Sequence, residues 1–471
     1  MVSKNTARVL TVFTLAMINV AAVSNLGQLS LLSLYGLSGM FFIGFAAIMF
    51  FIPASLVSAE LATGWPKTGG VYIWVREALG SSWGFLAIWL QWIENVIWYP
   101  TILSFCAATI AFIINPGLAT NSMYTFGMIL LITWGVTLIN FKGMKVSGSI
   151  SKYGVMIGTI FPAFLVILMG LIWVFSGNPT QITFDVSNAM PDLSSLNNLV
   201  LLVGIMLGLA GIEMSSVHAQ EVKNPQTDYP KAILISVVII LIIAILGSLS
   251  IAMVVPKTKI LLTAGVMEAF QAFFTAYNIQ GVVPILAALI ALGSITMIST
   301  WMVGPSKGLL AAADDGNLPP MLQKMNKNGM PTHILITQSV IISLLALVFV
   351  FMPSINSSYW ILTDLTSQLY LVMYVLMFVS AIKLKYSKPN VKRAYSVPGG
   401  KTGMWIVAGL GILACLFAFF IGFVPPAQVQ TGGEVTYDGF LGGGVVVACL
   451  AAVLIHHFRK PNWKPKKKKL G

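Results

Sequence analysis

Long apolar stretches alternate along the chain with short polar ones. A helix needs roughly 20 predominantly apolar residues to cross a bilayer. Such runs fall at 10–33, 37–60, 84–114, 124–142, 152–176, 197–220, 231–255, 280–312, 334–353, 358–384, 403–424 and 440–458. The run at 84–114 is long enough to divide, but no loop-like gap interrupts it, so it counts once. The pattern predicts an all-α membrane protein of about twelve transmembrane helices. The first run follows a short polar start without a small-residue cleavage site, and is expected to stay as a helix rather than act as a signal peptide.

Charge orients these spans. All but two of the 27 lysines and arginines fall before the first span, at or between span ends on the side of the chain ends, or in the tail from Arg459 to Lys469; the opposite side holds only Lys257 and Lys259. The positive-inside rule then places both termini in the cytoplasm of a bacterial inner membrane. A missed or invented span would scramble this one-sidedness. Residues 459–471 form a basic tail whose Pro465-Lys466-Lys467-Lys468-Lys469 cluster attracts anionic lipid at about 1 kcal/mol per charge.

Composition adds exclusions. Hydrophobic residues make up 57% of the chain and charged ones 9%, against about 25% charged in soluble domains, so most of the chain has lipid for solvent. The net charge of +13 sits between spans and at the ends, which argues against a nucleic-acid partner. Cys106, Cys415 and Cys449 lie in apolar runs as small core hydrophobes. The histidines lack ligand spacing, so neither metal nor cofactor is expected. No nucleophile–base set or paired catalytic acids appear within the spans, and an enzyme is not expected. No pattern in the chain sets an oligomeric state.

Two spans are interrupted. The first contains Asn19-Val20-Ala21-Ala22-Val23-Ser24-Asn25-Leu26-Gly27; the sixth contains Gly204, then Gly208-Leu209-Ala210-Gly211-Ile212-Glu213-Met214-Ser215-Ser216. Unpaired backbone in lipid costs several kcal/mol per group, so such breaks belong where they face protein or a cavity. They open two consecutive five-helix units, and matching interrupted segments in two repeats point to a transporter's binding site. Half-helix N-termini suit a carboxylate and unwound carbonyls suit an ammonium, which together describe an α-amino acid zwitterion. The alternative is that the small residues only allow close helix packing.

An ionisable group within a span is a functional candidate because it costs at least ~2.5 kcal/mol to insert. Glu60, Glu94, Glu213 and Asp364 qualify, and no lysine or arginine lies deep in any span to partner them. An acid buried without a cation favours its neutral form, the behaviour wanted of a proton-coupling group or an acceptor for a substrate amine. Glu213, beside the sixth-span break, and Glu94, with Asn95, Trp98 and Tyr99 nearby, are the candidates. Glu60 is expected to cap or pair with the following loop, and Asp364 to be solvated near the start of span ten. With no buried cation, the cargo is expected to be neutral overall or to enter with a second carboxyl protonated. Trp301, Tyr370 and Tyr374 fall in spans eight and ten, the tyrosines on one helix face.

Ala59-Glu60-Leu61-Ala62-Thr63 followed by Gly69-Gly70-Val71-Tyr72 is similar to a signature after helix 2 of the amino acid–polyamine–organocation superfamily. Gly211-Ile212-Glu213, Glu221-Val222-Lys223-Asn224-Pro225, Asp228-Tyr229-Pro230 and Ser250-Ile251-Ala252-Met253-Val254 continue the match. Ala264-Gly265-Val266-Met267, Trp301-Met302-Val303-Gly304-Pro305-Ser306-Lys307-Gly308, Met325-Asn326-Lys327-Asn328-Gly329 and Pro398-Gly399-Gly400-Lys401 complete it. In order and spacing the chain resembles this superfamily, and within it the glutamate/γ-aminobutyrate antiporter family. The resemblance implies a LeuT-type fold: inverted repeats at 1–176 and 197–384, with discontinuous helices 1 and 6, and two further helices at 403–458. It implies exchange by alternating access, with Val20-Ala21-Ala22 in the unwound part of helix 1 and Ala210 to Glu213 at the break in helix 6. Trp301 matches a site-lining tryptophan of helix 8, and Tyr370 and Tyr374 match a tyrosine pair of helix 10.

Candidate substrate-binding residues are therefore Val20, Ala21, Ala22, Val23, Ser24, Asn95, Trp98, Leu207, Ala210, Gly211, Ile212, Trp301, Tyr370 and Tyr374. Some features depart from the family. Many relatives carry Gly-Ser-Gly where Val20-Ala21-Ala22 stands, many arginine/agmatine exchangers a gating tryptophan in helix 6 where Leu207 stands, and the glutamate/γ-aminobutyrate antiporter a helix 8 acid where Met297 stands. A counterpart of the long C-terminal plug of the glutamate/γ-aminobutyrate antiporter is not expected after span twelve, and acid-gated exchange is accordingly not expected. The leading expectation is an amino-acid antiporter or permease. The alternatives are a proton-coupled symporter on the same scaffold and a substrate sensor with little transport.

Overall fold

The computed structural model describes residues 11–67, 69–143, 154, 156–214 and 224–464, and every regular element among them is helical. Lys4, Arg8, Lys145, Lys152, Ser215, Ser216, Glu221, Val222, Lys223 and the tail from Pro465 lie outside the described residues, as does the side chain of Ala21.

Span one is two helices, α1 (Val12–Val23) and α2 (Leu26–Ser33). Span two runs from α3 (Gly39–Ala46) through a π-type turn into α4 (Ile52–Gly64). A short α5 (Val71–Leu79) leads to α6 (Ser81–Ile114), α7 (Ser122–Asn140) and α8 (Phe161–Phe175). Span six opens as α9 (Leu202–Gly208), followed by α10 (Pro225–Val254) and a short α11 (Gly265–Ala276). Then come α12 (Val283–Asp314), α13 (Thr332–Leu345) with α14 (Val348–Phe351), α15 (Ile355–Ser387), α16 (Gly400–Ile421) and α17 (Glu434–His457). Eleven helical stretches among the described residues are long and apolar enough to cross a membrane. The first span, cut into pieces of 12 and 8 residues, makes the twelfth. The interruption expected within 10–33 is thereby present.

α12 and α15 both pack along α6 at the centre, and α15 is buried from Ile355 to Leu384 on nearly every face. α8, α16 and α17 instead leave large apolar side chains such as Phe175, Phe420 and Val447 exposed, as a lipid-facing ring requires. α5 and α11 have no counterpart in the hydropathy reading. They are 9 and 12 residues long, too short to cross.

The loops on the side of the chain ends gather into one polar face. Arg76 pairs with Asp315, which also accepts from the Tyr72 hydroxyl at 2.6 Å. Asn317 donates to Tyr72 at 3.1 Å and accepts from Arg459 at 3.3 Å. The Lys388 ammonium pairs with Glu77 and holds its carboxyl below the usual range.

Two expectations about acids are corrected. Glu60 has cationic partners: Lys385 Nζ lies 2.9 Å from both its oxygens and Arg393 Nε 3.0 Å from one. The partners come from the end of span ten and the loop after it, not from the loop after span two, because folding lays that distant segment across the end of α4. Asp364 is wholly buried, not solvated. It accepts from the Tyr437 hydroxyl at 2.5 Å and from Gln368 at 3.4 Å, since α17 packs over the start of α15.

On the opposite face, α11 lies against α2. Glu268 accepts the Leu261 N–H at 3.1 Å, and partial burial raises its carboxyl to about 7. The folded protein thus keeps this proton at pH values where the unfolded chain has released it. The contribution to stability is complete below the usual carboxylate value and is lost as pH rises through about 7. Glu268→Gln is expected to melt like the parent at pH 5 and to gain roughly 1–2 kcal/mol at pH 8, after allowance for partial solvent screening. Melting curves at the two pH values check this, and an equal difference at both would contradict it.

Candidate substrate site

Both interruptions open onto one space. α1 ends at Ser24, whose N–H reaches the Val20 carbonyl at 2.7 Å, and Asn25 starts α2 by accepting the Gly27 N–H on its side chain at 2.9 Å. Serine and asparagine compete for backbone hydrogen bonds and favour helix ends, whereas alanine is the best helix former. Val20, Ala21 and Ala22 accordingly remain helical. The unwound point is Ser24-Asn25, a correction to the position implied by resemblance. In span six α9 stops at Gly208, Gly211 takes φ +106°, and Ile212 to Met214 form a single tight turn.

A small cavity of about 40 Å³ lies between these breaks. Span one contributes Ala22, Val23, Asn25 and Gln28, and span six Leu207, Gly208 and Ala210. The rest of the wall is Glu94, Asn95 and Trp98 from α6, Met297 and Trp301 from α12, and Tyr370 from α15. Trp98 and Trp301 meet edge to face with ring centroids 5.9 Å apart. Glu94 is buried, and the amide of Asn95 donates to it. Among the described residues, no lysine or arginine lines the cavity.

Behind the wall, Glu213 is buried and accepts from Tyr370, from Tyr374 at 2.5 Å and from Gln91 at 3.2 Å. The Tyr374 hydroxyl also accepts the Gly211 N–H at 2.9 Å, tying α15 to the break. Tyr374 borders a smaller adjoining space with Phe50, Met206 and Ser367.

Of the residues singled out from sequence, Ala22, Val23, Glu94, Asn95, Trp98, Leu207, Ala210, Trp301 and Tyr370 line the cavity. Gly211, Tyr374 and Glu213 stand just behind it, while Val20, Ser24 and Ile212 are buried outside the lining. Gln28 and Gln91 were not singled out. Gln91, Glu94, Asn95 and Trp98 recur at i, i+3, i+4 and i+7, one face of α6, and that polar stripe in an apolar span was the available signal. Gln28 lies one turn after Asn25, and its signal was weaker.

The cavity has the parts for holding a small zwitterion: a carboxylate, carboxamides, an aromatic pair and two helix breaks. The chain matches a family model described as amino acid permease over residues 9–447. It is 46% identical over 440 residues, 93% of this chain and 95% of the other, to an uncharacterized transporter of Legionella pneumophila. It is 33% identical over 423 residues to a glutamate/gamma-aminobutyrate antiporter of Lactococcus lactis, covering 88% of this chain and 84% of that one. With this match across nearly its whole length, the chain belongs to the amino acid permease family.

Proposed function

We propose that this protein exchanges one zwitterionic amino acid for another, or for its decarboxylated amine, by alternating access across a bacterial inner membrane, with both termini cytoplasmic. As a family member it is a transporter, and the similarity to a glutamate/gamma-aminobutyrate antiporter supports exchange. The observation that carries the reading is the cavity between two broken spans, which offers Glu94 and, among the described residues, no lysine or arginine. The Glu94 carboxylate receives the cargo's ammonium. The breaks at Ser24-Asn25 and Gly208–Gly211 offer backbone groups to its carboxylate.

The test uses purified protein in liposomes preloaded with single amino acids. Labelled glutamate, glutamine, serine, leucine, arginine and γ-aminobutyrate are offered outside at pH 5.5 and 7.5. Uptake that requires internal substrate supports exchange and names the pair. A charge-assisted hydrogen bond contributes about 1.5–3 kcal/mol, so Glu94→Gln is expected to lower uptake roughly tenfold to a hundredfold. Unchanged uptake in that variant removes the role given to Glu94.

The placement of Glu94 in the wall without a cationic partner among the described residues also favours a second reading, proton-coupled symport. Uptake into empty vesicles driven by a pH gradient, lost in Glu94→Gln while exchange persists, would select it. Stabilisation by a ligand without flux would point to a sensor.

A further inference from the structure

The far-side part of the cavity wall carries a polar group that the zwitterion reading leaves unused. Gln28 lies on α2, one turn past the break, and is only 4% exposed. It lines the cavity, yet its Oε1 has no hydrogen-bond partner, and its Nε2 makes none among the described residues. Gly208 faces it: a Cβ there would meet Cβ and Cγ of Gln28 at 3.7 Å, so the glycine leaves that flank of the amide open. A buried amide left without partners costs about 1–3 kcal/mol, so its free donors and acceptor mark a place for a ligand group.

We propose that Gln28 selects the cargo by its side chain, pairing its carboxamide with a neutral planar C(=O)–XH group. That group is the carboxamide of a glutamine-like amino acid, or the carboxylic acid of a glutamate-like one that enters protonated. This deepens the exchange reading and rests on the cavity being the cargo site.

Donor and acceptor counting argues against an ammonium, an ionised carboxylate and an apolar side chain. A carboxamide offers one acceptor and two donors whichever way it is turned, and a planar C(=O)–XH group answers both in a paired arrangement. An ammonium would answer the oxygen and leave the N–H groups unmet. An ionised carboxylate would answer the N–H groups, but it would set a negative charge against Oε1 in a cavity that already holds Glu94 and, among the described residues, no cation. An apolar side chain would leave both ends of the amide unpaired, which is the arrangement that rejects an analogue lacking the group.

The experiment compares the parent, Gln28→Leu and Gln28→Glu in liposomes, with labelled glutamine, glutamate and leucine at pH 5.5 and 7.5. Preference for glutamine at both pH values, lost about tenfold relative to leucine in Gln28→Leu, supports the proposal with a carboxamide cargo. Preference for glutamate at pH 5.5 only, lost in the same variant, supports it with the protonated acid. Gln28→Glu keeps the volume, so it reads the change of chemistry if Gln28→Leu does not fold. A ratio of glutamine or glutamate to leucine that neither variant changes overturns the proposal. If the parent carries no amino acid at all, exchange fails, and stabilisation of parent and variants by the same three ligands still decides the role of Gln28. Equal stabilisation across them overturns it.

Discussion

Gly211→Ala is expected to lower uptake at least tenfold and to destabilise the protein by about 1–3 kcal/mol, the usual cost of forcing a residue into a sparsely populated backbone region. Gly211 sits at φ +106°, and an added Cβ would lie 3.2 Å from Cη2 of Trp301 and 3.8 Å from the Ala22 carbonyl oxygen. Alanine therefore meets two obstacles at once. Relaxing the backbone pulls its N–H away from the Tyr374 hydroxyl at 2.9 Å and turns Ala210, which lines the cavity. Holding the backbone pushes Trp301 toward Trp98 and into the same space. Gly127→Ala is the control, because nothing lies within 4 Å of a Cβ placed there on α7, and alanine in a helix adds rather than removes stability. Transport assays and melting curves on the two variants make the comparison. Wild-type behaviour of Gly211→Ala would mean that the break tolerates a side chain and does not shape the cavity.

The reach of the sequence follows from what each feature depends on. Span positions depend on local apolarity that lipid enforces over some twenty residues, so the helices lie close to where hydropathy puts them. The break in span six was legible because Gly208 and Gly211 mark it directly. The break in span one was misplaced because resemblance pointed to Val20-Ala21-Ala22, whereas local chemistry favours Ser24-Asn25. Polar partners were the hardest to read. Gln91 reaches Glu213 across 122 residues, and Lys385 reaches Glu60 across 325. Nothing local to either residue reports such a partner. Asp364 was misread for the same reason, since its cover comes from Tyr437, 73 residues on.

Glu60→Gln is expected to cost about 3–5 kcal/mol of stability, the range for removing one member of a buried ion pair. Glu60 is 2% exposed, and Lys385 and Arg393 are 10% and 8% exposed at their side chains. The carboxylate also accepts the Val397 N–H at 2.7 Å and the Ser396 hydroxyl at 3.3 Å, so it fastens the loop after span ten across the end of α4. A glutamine keeps an acceptor for one N–H but leaves two buried cations facing each other without an anion. Glu77→Gln is the comparison. It breaks the Lys388 pair, whose members are 22% and 38% exposed, and it is expected to cost under about 1 kcal/mol. Thermal unfolding in detergent should separate the two variants clearly. Adding Lys385→Gln and Arg393→Gln to Glu60→Gln should recover part of the loss, because the charge that burial penalises is then gone. If Glu60→Gln melts no lower than Glu77→Gln, the cluster is solvated in the membrane-embedded protein and other contacts hold the loop. If the triple variant recovers stability but transports poorly, the ionic character of the fastening serves the transport cycle rather than the fold.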